Sequence, residues 1–128
     1  MNIDSIKVHD VRTLTVLHPT TNEKTDIELE IFGSASKHYR KTLSALNKAN
    51  NKSCITIEER EKNVLFQYAS LINGWKNIQE PDSKGNLVDI VYSVDKAVEL
   101  FEKQYWLFVQ VLSFVNKEAN FLEVLEAN

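Results

Sequence analysis

Two segments of alternating character, residues 12–17 and 26–31, constrain the fold of this chain more than any other feature of the sequence. In the first, aliphatic residues alternate with threonines, and in the second they alternate with acids. A period of two is typical of strands that bury one face. The residues that we predict to point inward are Leu14, Val16, Ile27, Leu29 and Ile31.

The connection between the two segments predicts their pairing. Pro19 has no backbone N–H to donate to a ladder, and Asn22 tolerates a positive φ. We therefore predict an antiparallel β-hairpin over residues 12–32. A lone hairpin is marginal in water and needs its apolar face covered, so the rest of the chain must pack on it.

Most of the remaining sequence has a helical pattern. After Gly33, either Ser34 or Ser36 can cap a first helix, in which an inward stripe recurs at i, i+4 and i+7. The stripe is Tyr39, Leu43 and Leu46. A second helix begins at the capping box formed by Thr56 and Glu59 and carries one apolar side, which predicts that it continues to Trp75. This side comprises Val64, Leu65, Tyr68, Leu71, Ile72 and Trp75.

The C-terminal half follows a loop predicted at residues 81–86. Ser93 can cap a third helix, a fourth apolar set covers residues 105–115 with a possible break near Lys103, and the tail 116–128 keeps enough apolar residues for a short helix. The predicted fold class is α+β and mostly helical, with an N-terminal antiparallel β-hairpin followed by four to five α-helices. We predict a single domain over residues 1–128, made of a loosely held leader (1–11), the hairpin (12–32) and a helical part (34–128).

Charge is distributed unevenly. The net charge is −3, yet five cations and no acid lie between Ser34 and Lys52, while the other residues hold ten basic against eighteen acidic side chains. Such a basic helix suits either nucleic acid or the acidic surface of a second copy. Nucleic-acid binding is not predicted, because the whole protein is acidic and no helix-turn-helix pair is evident.

Residues that carry catalytic chemistry are sparse. The three histidines are scattered, none pairs with a cysteine at ligand spacing, and the three glycines form no phosphate-binding loop. We therefore predict no catalytic residue, no metal and no cofactor. The single Cys54 cannot form an internal disulfide, which favours a reducing cytosol. The apolar run at 105–115 falls short of the roughly 20 residues that a membrane span needs.

The candidate functional residues are therefore interface residues. Four cations of the first helix could make electrostatic contacts, or they could form a solvated face: Lys37, Arg40, Lys41 and Lys48. Trp75 and Trp106 could anchor a partner, but ordinary core packing is the simpler explanation of both.

Several pieces, taken in order, resemble the tail assembly chaperones of long-tailed, siphovirus-type bacteriophages. The pieces are the hairpin Leu14–Thr21, the segment Phe32–Arg40, Gly74–Ile78, Tyr92–Ala97 and Glu118–Phe121. The match covers nearly the whole chain. It departs from the family at Asn22, where a turn glycine is expected, and at Leu87–Tyr92, where a proline-containing segment is usual.

This resemblance implies a non-enzymatic protein that binds the tape-measure protein, keeps it soluble and recruits tail-tube subunits. It also implies self-association, as an oligomer or spiral, in the host bacterial cytoplasm, and absence from the mature virion. The alternative is a structural tail or head-tail joining subunit that stays in the virion.

Overall fold

A computed structural model describes residues 1–125. Its elements fall into seven strands and four α-helices, with two short 3-10 turns at Ile3–Ser5 and Glu118–Phe121. In chain order they are β1 (Ile6–Val8), β2 (Val11–Leu17), β3 (Lys24–Phe32), α1 (Lys37–Asn50), α2 (Ile57–Ser70), β4 (Ile72–Lys76), β5 (Gln79–Pro81), β6 (Leu87–Asp89), α3 (Val94–Lys103), α4 (Tyr105–Asn116) and β7 (Leu122–Val124).

The predicted N-terminal hairpin is present. β2 and β3 pair antiparallel in a register that places Leu14 opposite Leu29, and Asn22 in the connection has a φ of 63°. Val16, Leu29 and Ile31 are fully buried, whereas Leu14 and Ile27 are partly buried against the same core. The alternation of the sequence therefore predicts the buried face of the hairpin correctly.

The hairpin is part of a three-stranded sheet, and this overturns the prediction of a mostly helical fold. α2 ends at Ser70, and the chain then enters β4, which pairs antiparallel with β3 and sets Trp75 opposite Leu29. The apolar residues that follow Ser70 fit a strand as well as a helix, because a short apolar run has no distinguishing period. Pairing with β3 gives this backbone its hydrogen bonds and covers one edge of the hairpin.

The N-terminal segment is also not a loose leader. β1 pairs antiparallel with β7, with Lys7 opposite Glu123, so the two ends of the described chain form one small sheet. The expected C-terminal helix is a 3-10 turn followed by β7, and residues 126–128 of that prediction lie outside the described residues. The periodicity of a short segment cannot reveal a partner more than a hundred residues away, so the sequence pattern did not predict this pairing.

The region predicted as a loop before α3 contains a small hairpin. β5 and β6 pair antiparallel around a turn in which Gly85 has a φ of 82°. Residues 1–125 therefore contain three sheets and four α-helices, an α+β fold in which strands contribute far more than one hairpin.

The predicted helix starts are confirmed. The hydroxyls of Ser36, Thr56 and Ser93 each accept a hydrogen bond from the backbone N–H three residues later. Gln104 separates α3 from α4, so the chain breaks near Lys103 and does not form one long helix there. The core lies between the three-stranded sheet and helices α2, α3 and α4, with Phe101, Leu71 and Val111 among its largest fully buried side chains.

Candidate binding groove between two helices

Helix α1 lies at the edge of the molecule. None of its residues is buried, although three other helices bury several residues each. Of the predicted inward stripe, Tyr39 packs partly buried against the core, but Leu43 is 38% exposed. The expectation that this stripe as a whole faces the core is wrong, because α1 packs mainly against α2 and not against the sheet.

This arrangement leaves an open groove of about 910 Å³ between α1 and α2. One wall is an alanine-rich stripe of α1, the other is the outer side of α2, and β4 with the start of α3 closes one end. The α1 wall comprises Thr42, Ala45, Leu46 and Ala49; the α2 wall comprises Asn63, Phe66, Gln67 and Ser70; the closed end comprises Ile72, Asn73, Tyr92 and Val94. A groove of this size lies at the upper end of the usual range for ligand sites.

His38 holds the start of α1 against β3 and the end of α2. Its ring stacks on Phe32 with centroids 4.1 Å apart, and its Nε2 lies 2.6 Å from the carbonyl oxygen of Ser70. Because a carbonyl can only accept, Nε2 is the protonated nitrogen and donates this bond. The histidine therefore joins β3, α1 and the end of α2 and has a structural role.

Tyr92 holds the closed end of the groove. Its hydroxyl donates a hydrogen bond of 2.8 Å to the carbonyl of Ala69, and its ring meets Trp75 edge to face with centroids 5.0 Å apart. Burial raises the pKa of Tyr92 to about 12, so the phenol keeps its proton and continues to donate even in alkaline solution near its ordinary pKa of 10.

Gln67 is the unusual residue of the groove wall. It is only 4% exposed, yet its side-chain amide makes no hydrogen bond to any other residue among positions 1–125. The amide is not sealed in the protein, and it remains reachable from the cavity that it lines. A polar group that is nearly buried costs free energy unless it finds a partner, so the amide is available to a group that enters the groove.

The charge around the groove is basic. Lys41 lies in the lining, and at about 100° per residue Lys37 and Lys48 fall on the same flank of α1. All three are exposed, and none forms an ion pair within the described part of the chain. By contrast, a second cleft, of about 630 Å³, is bordered by Glu58, Glu61 and Glu102.

The structure brings only part of the predicted interface residues to this groove. Lys41 lines it and Arg40 lies beyond it, with its guanidinium donating to the carbonyl of Ala35 at 3.0 Å. Trp75 is half-buried and donates from Nε1 to the carbonyl of Ile90 at 2.7 Å. Trp106 is also half-buried and donates to the side chain of Gln104 at 2.8 Å. Both tryptophans pack against the core.

Several groove residues were not predicted from the sequence. One feature could have indicated an exposed apolar residue in α2: Val64, Leu65 and Phe66 are consecutive, and three consecutive residues cannot all face one side of a helix. Phe66 is the one left outside, at 51% exposed. Gln67 and the alanines of α1 carried no such signal, because nothing in their local pattern distinguishes a groove wall from a surface.

Other kinds of site are not evident in residues 1–125. No group of three or more histidine, cysteine or acidic side chains is placed to hold a metal ion there. No helix in the same range is both long and apolar enough to cross a membrane.

Comparison with known proteins identifies a family for this chain. The model of the family described as "YdaY prophage protein" matches residues 27–127, which is most of the chain and includes both walls of the groove. No curated protein and no solved structure matches the chain. The matched segment begins inside β3 and therefore contains α1, α2 and β4 whole. The chain is a phage or prophage protein and belongs to the YdaY prophage protein family.

Proposed function

We propose that this protein is a non-enzymatic tail assembly chaperone, which binds the phage tape-measure protein through the groove between α1 and α2. In this proposal it keeps the tape measure soluble and recruits tail-tube subunits in the host cytoplasm, and it is absent from the finished virion. Membership of a prophage family and the order of the sequence pieces that resemble tail assembly chaperones both support it.

The observation that carries the proposal is the open, largely apolar groove on a helix that buries none of its own residues. A concave site of this volume with a mostly apolar lining is the usual form of a binding site. A tape-measure chain exposes extended apolar helical surface, which repeated copies of a small protein with such a groove could cover.

Co-expression with the tape-measure gene of the same phage tests the proposal. We expect the wild-type chain to raise the soluble fraction of the tape-measure protein and to co-elute with it. Ala45→Phe, which fills the groove from an exposed position, should abolish both effects. Ser44→Phe is the matched control, because Ser44 is also exposed but does not line the groove. Unchanged solubility with the wild-type chain would refute the proposal.

Mass spectrometry of purified particles separates a chaperone from the alternative of a structural tail or head-tail joining subunit. The chaperone should be missing from virions, whereas a structural subunit would remain.

Self-association is part of the same proposal. If the cations of α1 meet an acidic surface of a second copy, reversing Arg40 and Lys41 to Glu should shift the sedimentation distribution to smaller species without unfolding the chain. An unchanged distribution would reject this contact.

A further inference from the structure

We propose that the groove is selective for one kind of segment, an amphipathic α-helix whose apolar face is flanked by Asp or Glu. The inference rests on the proposed function, since it names the chemistry of the partner segment at that same site. Three features of the groove support it: its wall geometry, the amide of Gln67 and the cations along one rim.

The geometry favours a helix over an extended segment. Most of the groove surface is apolar, and the hydroxyls of Ser70 and Tyr92 already donate to backbone carbonyls, so an extended peptide would lie there with most of its own amides unpaired. A helix, by contrast, satisfies its backbone internally. Ala45 and Ala49 are one helical turn apart on the α1 wall, and their small side chains allow another helix to pack closely. Phe66, half exposed on the opposite wall, supplies apolar contact area.

Charge complementarity selects the flank of that helix. Lys41 places a positive charge in the groove lining, and no carboxylate lies there. Lys37 and Lys48 extend this basic rim along α1. An acid on the incoming helix would meet these cations, and a lysine there would be repelled. The same cations disfavour a purely apolar occupant, because it would desolvate Lys41 without giving it a partner.

Gln67 adds a polar contact inside the apolar groove. The residue is nearly buried, but its amide opens onto the groove and has no hydrogen-bond partner within residues 1–125. A Ser, Asn or Gln on the apolar face of the bound helix would satisfy it. This contact fixes the register of the helix in the groove, because a helix shifted by one turn would leave the amide unpaired.

Fluorescence anisotropy with the full chain and two labelled synthetic helices tests the inference. Both peptides have about 18 residues, or five turns, with the same leucine face and a central Gln. One carries Glu along the flanks and the other carries Lys. We expect the Glu-flanked peptide to bind about five-fold or more tightly at low ionic strength, and the difference to shrink as salt is added.

Two variants attribute the selectivity to named residues. Lys41→Glu should remove or reverse the preference, whereas Lys84→Glu, an equal charge change on the exposed β5–β6 turn, should leave it unchanged. Gln67→Leu should weaken the peptide with the central Gln about three- to ten-fold and should have no such effect on a peptide with Leu at that position. Thermal unfolding of each variant establishes that it is folded.

Equal binding of the two peptides, binding of neither, or insensitivity to Lys41→Glu would overturn the inference. So would sedimentation showing that a second copy of the chain occupies the groove and that the peptides do not displace it. These results differ from failure of the proposed function. If Ala45→Phe abolishes solubilisation of the tape measure but the peptides are not distinguished, only the inference falls. If the peptides are distinguished but the tape measure is unaffected by the chain, only the proposed function falls.

Discussion

Gln110 on α4 uses both ends of its side-chain amide on the backbone of Leu17, the last residue of β2. Its Oε1 accepts from the N–H of Leu17 at 2.9 Å, and its Nε2 donates to the carbonyl of Leu17 at 2.8 Å. β2 is an outer strand of the three-stranded sheet, so the amide takes the place of a neighbouring strand there. The contact pairs backbone groups that would otherwise be left open at the sheet edge.

Gln110→Leu should therefore destabilise the protein although it adds an apolar residue to an apolar helix. Both backbone groups of Leu17 lose their partner in a half-buried position, which costs about 1–3 kcal/mol. Urea unfolding measures the change. Ser113→Leu introduces the same residue at an exposed position of the same helix and should change the free energy of unfolding by less than about 0.5 kcal/mol. Equal effects of the two substitutions would show that the amide contact contributes nothing.

Gly33, directly after β3, lies close against the ring of Phe121 in the C-terminal segment. A Cβ added at Gly33 would lie 2.6 Å from ring atoms of Phe121, whose ring is buried against Phe114. Gly33→Ala should cost about 1–3 kcal/mol in the free energy of unfolding, since the ring has to move. Gly74→Ala is the control, because nothing lies within 4 Å of the corresponding position.

The double variant Gly33→Ala with Phe121→Leu identifies the cause. If the clash with the ring is the source of the loss, the two substitutions together should cost less than the sum of their separate effects, by about 0.5 kcal/mol or more. Additive effects would place the cost of Gly33→Ala elsewhere.

The hairpin and the helix starts were predictable from the sequence because their determinants are local. The alternation of apolar and polar residues identifies the buried face of the hairpin, which includes Leu29 and Ile31. The hydroxyls of Thr56 and Ser93 cap helices by accepting from a backbone N–H only three residues later. The local pattern gave the wrong element after Ser70, because Leu71 and Ile72 fit the period of a helix and that of a strand equally well. There the pairing partner β3, some forty residues earlier, decides the structure.

The candidate groove was less predictable than the fold. A stripe such as Tyr39, Leu43 and Leu46 shows that a helix is amphipathic, but not that its other neighbours leave a gap beside it. Whether Gln67 is exposed or nearly buried depends on the elements that pack around α2, and these are not encoded in its local pattern. The sequence shows Lys41 as a cation of the basic helix, but only the packing shows that it lines a groove.

The two tryptophans offer a direct comparison of a structural and a peripheral indole. Trp75→Phe removes the donor to the carbonyl of Ile90 between two parts of the chain, whereas Trp106→Phe removes a bond to Gln104, two residues away on the surface. We expect Trp75→Phe to lower the free energy of unfolding by about 1 kcal/mol more than Trp106→Phe does. Guanidinium unfolding followed by circular dichroism measures both, and a larger loss for Trp106→Phe would contradict the assignment.

The small sheet of β1 and β7 should loosen in acid. The hydrogen bond from His9, 2.5 Å from Glu123, lowers the pKa of this carboxyl below its ordinary value of 4.5, and the charges of His9, Arg12 and Lys7 act in the same direction. A lowered pKa in the folded state means that the ionised carboxylate stabilises the fold above the unfolded pKa, and that this contribution is lost as the pH falls through the folded pKa.

Glu123→Gln should therefore destabilise the protein at pH 7, and the difference in the free energy of unfolding from wild type should narrow towards pH 3 in urea unfolding. Glu118→Gln, at an exposed carboxylate with no side-chain hydrogen bond within residues 1–125, should show no such dependence. A difference for Glu123→Gln that is constant with pH would show that His9 does not stabilise the ionised form.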